Sequence, residues 1–170
     1  MSWNNIFKEG LKRERSILAH YTACLVQNWR FVYKIRQYLP KDKISRIMEP
    51  GAGTGYLAIY LSSLGHKVSA IDIDTGFIEE VNSALQSGLH ILKQDIRESL
   101  GNESCHFDLI YNIGVMEHFS DEDIIKICKN FKVYSDIFIF AVPNFKIPYS
   151  YGNERYLSKR RWRKLLRSAG

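Results

Sequence analysis

The N-terminal part of the chain carries the apolar spacing of an amphipathic helix. Large apolar side chains recur at three- and four-residue steps from Ile17 through Tyr21 to Ile35, which is the period of a helix with one buried face. Pro40 cannot continue a helix, so it marks the end of this segment. We therefore predict a helical cap over residues 1–40.

Beyond residue 40 the pattern changes to short apolar runs separated by helical stretches. The candidate strands are Ser45–Met48, Lys67–Ile71, Leu89–Leu92, Phe107–Asn112 and Ile137–Val142. The candidate helices between them are Gly55–Leu64, Gly76–Gln86 and Asp121–Phe131. This alternation predicts an α/β fold with a doubly wound, mainly parallel sheet over residues 41–170. In such sheets ligands bind beyond the carboxyl ends of the strands, where the strand order reverses.

The first strand runs into a glycine-rich turn, Glu49-Pro50-Gly51-Ala52-Gly53-Thr54-Gly55, and then into a helix. Glycines let the backbone turn tightly and approach a ligand, and the start of a helix offers unpaired N–H groups. A single glycine is compatible with a turn that binds nothing. Three glycines in alternate positions between a strand and a helix favour a nucleotide-cofactor loop. We predict that Gly51, Ala52, Gly53 and Gly55 contact the cofactor.

The cofactor itself is ambiguous at this loop, because Gly53 to Ala58 also satisfies the dinucleotide pattern GxGxxA. A dinucleotide brings a pyrophosphate, which a carboxylate in the mouth of the loop repels. S-adenosylmethionine (SAM) has no phosphate and carries a sulfonium and an amino group. Glu49 therefore favours SAM and joins the predicted cofactor contacts.

Acids follow the second and third strands as well. Asp72 can accept hydrogen bonds from both ribose hydroxyls, a role shared by NAD and SAM enzymes. Asp95 can accept from the adenine amino group, with Ile96 packing on the ring. We predict that Ile73, next to Asp72, also lines this cofactor site.

The charge of the chain is unevenly distributed. The formal net charge is +6; residues 1–40 and 146–170 sum to +5 and +7, and residues 41–145 to −6. Basic ends can attract RNA or an anionic substrate, but basic helix faces are more commonly solvated surface. We predict that nucleic-acid binding is possible but not favoured.

The other compositional features indicate the setting of the protein. Its three cysteines include no CxxC pair, and we find neither a secretory leader nor an apolar run of membrane-spanning length. These features predict a cytoplasmic protein without a membrane partner.

Together the motifs resemble the class I SAM-dependent methyltransferases, above all the small-molecule branch of that family. The glycine turn is similar to the family's first motif, and Asp72 and Asp95 fall at its ribose- and adenine-binding acids. Phe107 to Asn112 resembles the fourth strand, which Gly114-Val115-Met116-Glu117-His118-Phe119 follows. Ala141 to Asn144 after the fifth strand and the closing helix Trp162–Gly170 are similar to family sequences too.

The resemblance implies a Rossmann-like fold, SAM as cofactor and Asn112 as a further cofactor contact. The family continues past an Ala-Gly like Ala169-Gly170 into two further strands. The sequence thus predicts a family fold without its final strands. Either the chain is a piece of a longer protein, or the N-terminal helices, a second copy of the chain or another subunit take the place of these strands.

Methyl transfer requires alignment of the acceptor and, where the acceptor must lose a proton, a base. His118 is the candidate base, because a histidine exchanges protons near neutral pH; a purely structural role that secures the loop stays open. Glu117 is assigned to the catalytic pair, to orient His118 or bind an acceptor amine. A lone Glu-His pair falls short of a metal site, so we predict no metal.

The sequence indicates the acceptor only as an oxygen or nitrogen atom of a small molecule. An aromatic and polar segment is the candidate acceptor pocket, and it contains Tyr149, Tyr151, Asn153, Glu154 and Tyr156. Asn144, after the fifth strand, is a further candidate acceptor contact. A loop that merely covers the sheet is equally compatible with this segment. A noncatalytic binding module, or an RNA or protein methyltransferase that uses the basic ends, stays as the alternative. An NAD-linked oxidoreductase is disfavoured, because no catalytic residue set for it is recognisable.

Overall fold

A computed structural model of the protein describes residues 8–9, 16–99, 106–143 and 153–170. Two helices, α1 (Ile17–Gln27) and α2 (Trp29–Tyr38), precede the sheet. The chain then continues in the order β1 (Arg46–Pro50), α3 (Tyr56–Ser63), β2 (Lys67–Asp72), α4 (Gly76–Leu85), β3 (His90–Lys93), β4 (Leu109–Ile113), a 3₁₀ turn (Met116–His118), α5 (Asp121–Tyr134), β5 (Phe138–Ala141) and α6 (Lys159–Ala169).

The predicted N-terminal helix is divided in two at Asn28, which corrects the single helix expected from the apolar spacing. Asn28 has non-helical dihedral angles, φ −103° and ψ 17°. Its side-chain amide and its backbone N–H both donate to the carbonyl of Cys24, each at 3.0 Å. An asparagine side chain competes in this way with the backbone ladder and interrupts a helix.

The five strands form one parallel sheet in the order β3-β2-β1-β4-β5. All five strands and the three intervening helices predicted from the pattern are present, with ends shifted by up to three residues. Strand order reverses between β1 and β4, so the loops that follow these two strands lie at the switch point where such sheets bind ligands.

Two hydrophobic clusters pack the sheet against its helices. One contains buried residues of α1 to α4 together with Ile47, Leu109 and Tyr111 of the central strands. The other contains Met48 and Ile110 with buried residues of α5 and α6. Alternate side chains of a strand point to opposite faces, so each central strand supplies both clusters.

The last helix, α6, lies on the second cluster. Trp162, Leu165 and Ala169 are buried, and the ring of Trp162 lies 5.2 Å from that of Phe140 on β5. In the part of the chain that the structure describes, no helix combines the length and the apolar character needed to cross a bilayer.

Candidate active site

The glycine loop follows β1 in a backbone conformation that ordinary residues avoid. Gly51, Gly53 and Gly55 have φ values of +72°, +54° and +66°. The N–H groups of Gly51 and Ala52 donate to the carbonyl of Ile71, at 2.7 and 3.1 Å, which fixes the loop to the end of β2. The positive φ values explain why the sequence places glycine at these alternate positions.

Gly51 is also required by packing. A Cβ atom at Gly51 would lie 2.7 Å from both methyl groups of Val115, closer than carbon atoms approach without displacement. Val115 follows β4, so the loops after β1 and β4 are in direct contact at the switch point. The predicted catalytic segment therefore lies beside the predicted cofactor loop.

Asp72 lies at the end of β2 with its carboxylate against the glycine loop. Its Oδ2 accepts from the N–H of Gly53 at 2.8 Å, and its Oδ1 accepts from the N–H of Asp74 at 3.0 Å. Each carboxylate oxygen has two lone pairs, so each retains one acceptor site for a ribose hydroxyl. Asp72 thus supports the loop and can still accept from a ligand. Its neighbour Ile73 is exposed.

Glu49 is a buried residue, 4% exposed, where the sequence led us to expect an open carboxylate in the loop mouth. Its Oε2 accepts from the N–H of Ala58 at 3.0 Å and from the hydroxyl of Tyr111 at 2.8 Å. Burial raises the pKa of Glu49 to about 8, partly offset by these two hydrogen bonds; Asp72 raises it further. Glu49 therefore joins the first turn of α3 to β4 from inside the fold.

The raised pKa of Glu49 predicts a specific pH dependence of stability. Between the ordinary value of 4.5 and about 8 the unfolded chain ionises at this residue while the folded chain stays protonated. The free energy of unfolding therefore loses a contribution as the pH rises through this window. Glu49→Gln removes the titration and keeps an acceptor oxygen, so we expect its stability relative to wild type to be greater at pH 8 than at pH 5. Thermal unfolding of the ligand-free protein measures this difference.

The matched control for that measurement is Glu80→Gln, because the side chain of Glu80 is 65% exposed. We expect the difference in stability between Glu80→Gln and wild type to be nearly the same at both pH values. A stability difference between Glu49→Gln and wild type that does not change with pH would contradict a protonated Glu49 in the folded chain.

Asp95 and Ile96, the predicted adenine contacts, are engaged within the protein. Asp95 forms a bidentate ion pair with Arg97, whose Nε lies 3.0 Å from both carboxylate oxygens. Hydrogen bonding to this guanidinium lowers the pKa of Asp95. Ile96 is buried in the second hydrophobic cluster. An adenine amino group would have to share Asp95 with Arg97.

Asn112 near the end of β4 and Glu117 after it have buried polar side-chain atoms without a partner among the described residues. Both amide atoms of Asn112 are buried and unpaired, as is Oε2 of Glu117. Such atoms are costly unless a ligand or water satisfies them. Burial raises the pKa of Glu117, although the neighbouring His118 opposes this. Asn112 and Glu117 are therefore available polar groups at the carboxyl edge of the central strands.

His118 pairs with Asn153, a residue of the candidate acceptor segment that the sequence did not connect with His118. Its Nδ1 lies 2.6 Å from the side-chain oxygen of Asn153. An amide oxygen only accepts, so Nδ1 is the donor of this hydrogen bond. The neighbouring Arg155 fixes this segment: its backbone N–H donates to the carbonyl of Glu117 at 3.0 Å, and its guanidinium pairs with Asp121 at 2.6 Å.

Other predicted contacts lie outside the described residues. This applies to Asn144, Tyr149 and Tyr151, the candidate acceptor pocket. Among the residues the structure does describe, no three His, Cys, Asp or Glu side chains are grouped as metal ligands.

Three comparisons with known proteins agree with this geometry. The sequence model of the family described as "Methyltransferase domain" matches residues 47–134. The ubiquinone biosynthesis O-methyltransferase of Methylocella silvestris is 36% identical over 92 residues, covering 49% of this chain and 36% of that protein. The protein of the same name from Chelativorans sp. is 35% identical over 81 residues, covering 46% of this chain and 32% of the relative. The matched regions thus span about a third of the length of these curated relatives.

The fold is found in solved structures as well. A SAM-dependent methyltransferase from Aquifex aeolicus superposes with a TM-score of 0.67 at 18% identity, and the match covers 82% of this chain and 78% of that one. The family match covers just over half of the 170 residues. The chain therefore belongs to the methyltransferase-domain family.

The predicted fold, family and cofactor are thereby confirmed. The residues present also fit SAM, because the glycine loop, the spare acceptor sites of Asp72 and the unpaired amide of Asn112 meet at one edge of the sheet. The individual site residues remain predictions.

Proposed function

We propose that this protein transfers a methyl group from SAM to an oxygen or nitrogen atom of a small-molecule acceptor, with a hydroxyl oxygen preferred. The observation that supports the proposal is the contact between Gly51 of the glycine loop and Val115, three residues before His118 in the segment after β4. The names of the two curated relatives, both O-methyltransferases, support oxygen as the acceptor atom.

The cofactor would be held by Gly51, Ala52, Gly53, Gly55 and Asp72, with Asn112 offering its amide. SAM supplies a methyl group already activated by a sulfonium. The protein therefore needs chiefly to align the acceptor with that group and to exclude water.

His118 is the proposed general base. Its Nδ1–H donates to Asn153 at 2.6 Å, which orients the ring, and Nε2 is the nitrogen proposed to take the proton. A hydroxyl acceptor becomes a better nucleophile when this nitrogen takes its proton. Glu117, 2% exposed and next to His118, is proposed to hold a polar group of the acceptor with its unpaired oxygen.

Calorimetric titration with SAM, S-adenosylhomocysteine and NAD⁺ tests the cofactor assignment. We expect binding of the first two and none of NAD⁺. Methyl transfer from radiolabelled SAM to a panel of hydroxyl and amine compounds then tests the activity. Binding of SAM without transfer to any acceptor in the panel would favour the noncatalytic alternative.

The basic surface of α6 separates a small-molecule enzyme from an RNA-binding one. The apolar side of this helix is buried, and its Arg161 pairs with Asp121 on α5. We therefore expect α6 to cover the core and its exposed cations to be solvated. Reversing the charges of Arg160 and Arg163 should leave SAM affinity unchanged.

A fluorescence titration with mixed-sequence RNA measures the competing possibility. Phosphate contacts make affinity fall steeply with salt, so we expect weak binding that disappears at physiological ionic strength. Micromolar or tighter binding that survives physiological salt and is lost in the Arg160 and Arg163 variant would contradict this expectation.

A further inference from the structure

Tyr21 connects the N-terminal helices to the glycine loop. It lies on α1, is 4% exposed, and belongs to the hydrophobic cluster that contains the central strands. Its hydroxyl donates to the backbone carbonyl of Thr54, inside the loop. A helix outside the sheet thus hydrogen-bonds directly to the backbone of the predicted cofactor loop.

The peptide that Tyr21 contacts is the one that turns the loop into helix α3. The carbonyl of Thr54 accepts from Tyr21, and the N–H of the following Gly55 donates to the carbonyl of Ala52 at 2.8 Å. Both polar groups of this peptide are therefore paired. Gly55 has φ +66°, and its carbonyl accepts from Ile59 at 2.9 Å in the first turn of α3.

We propose that Tyr21 is a positioning residue for the cofactor site, whose hydroxyl fixes the Thr54–Gly55 peptide and thereby holds the glycine loop in its binding conformation. The idea rests on the proposed function insofar as cofactor affinity is one of its readouts. Tyr21 itself contacts the loop and need not touch the cofactor.

The surroundings of Tyr21 keep it a hydrogen-bond donor. Burial, and secondarily the nearby Cys24 and Glu49, raise the pKa of its hydroxyl. The hydroxyl therefore stays protonated at neutral pH. Glu49, at the start of the same loop, accepts a hydrogen bond at 3.0 Å from the N–H of Ala58, in the first turn of α3. The loop is thus held by one buried side chain at Thr54 and by another at the start of α3.

Tyr21→Phe removes the hydroxyl and keeps the ring that fills the core. The carbonyl of Thr54 then loses its partner, and we expect the loop to sample other conformations. Loss of a hydrogen bond between uncharged groups changes an equilibrium constant by roughly threefold to tenfold. The dissociation constant for SAM should therefore rise by about that factor. Tyr33→Phe is the matched control, because Tyr33 lies on α2 and is 60% exposed.

Amide hydrogen exchange on the ligand-free proteins gives a readout that does not depend on the cofactor. We expect Tyr21→Phe to accelerate exchange in peptides covering residues 51–59 and to leave β4 and α5 as in wild type, while Tyr33→Phe changes neither. Unchanged loop exchange and unchanged SAM affinity in Tyr21→Phe would overturn the proposal, as would faster exchange spread uniformly over the sheet. If the wild-type protein fails to bind SAM, the proposed function fails, and the exchange comparison still decides the role of Tyr21.

Discussion

Replacing His118 with glutamine is expected to lower kcat for a hydroxyl acceptor by about 10²- to 10⁴-fold, the range attributable to a positioned general base. Glutamine retains a polar side chain but cannot take up the acceptor proton. SAM affinity should change little, because the proposed cofactor contacts lie on the glycine loop, Asp72 and Asn112. The measurement is the initial rate of methyl transfer at saturating SAM, beside a calorimetric SAM titration.

His106→Gln is the matched control for this variant. His106 is 60% exposed and its ring lies 3.9 Å from the carboxylate of Asp136, away from the loop contacts described above. The control should retain the wild-type kcat. If His118→Gln also retains it, His118 is a structural residue that secures the loop, which is the alternative that the sequence left open.

The position of Asn153 refines the same experiment. Asn153→Ala leaves the imidazole in place but removes the oxygen that accepts from Nδ1. A smaller loss of kcat than in His118→Gln, accompanied by a shift of the pH–rate profile, would identify Asn153 as the residue that orients the base.

The strands and the loop were predictable because their signals are local. Alternating apolar runs and turns identify the sheet, and the glycines of the loop mark backbone of positive φ. The position of Asp72 against Gly53 also follows from topology, because parallel strands β1 and β2 end at the same edge.

The remaining features depend on contacts between distant parts of the chain. His118 and Asn153 are 35 residues apart, and no spacing in the sequence pairs them. Glu49 illustrates another limit. Its place at a strand end predicts a carboxylate near the cofactor, but its burial depends on Tyr111 of β4 and on the first turn of α3.

Asp95 shows how an accessible acid can acquire a competing partner. The ion pair with Arg97 involves a residue only two positions away, so the sequence contained the signal. The prediction that Asp95 binds adenine rested on its position at a strand end and did not consider Arg97. The division of the N-terminal helix is a similar case, because Asn28 lies within an otherwise regular apolar period.

Asp72→Ala is expected to weaken SAM binding by at least about tenfold, because hydrogen bonds to a charged group are worth roughly 1.5–3 kcal/mol. The ribose hydroxyls would lose a bidentate acceptor. The same substitution also releases the N–H of Gly53, which Asp72 holds at 2.8 Å. A loss of affinity alone therefore does not distinguish recognition of the ribose from support of the loop.

A ligand without the 2′-hydroxyl separates these two effects. Wild type should bind S-adenosylhomocysteine more tightly than its 2′-deoxy derivative, since only the former offers that hydroxyl to Asp72. If Asp72 recognises the ribose, Asp72→Ala should bind the two ligands almost equally. If Asp72 only supports the loop, Asp72→Ala should bind both ligands more weakly by the same factor, and it should still prefer S-adenosylhomocysteine to the 2′-deoxy derivative. Asp136→Ala, at a side chain 94% exposed, is the control and should retain both affinities.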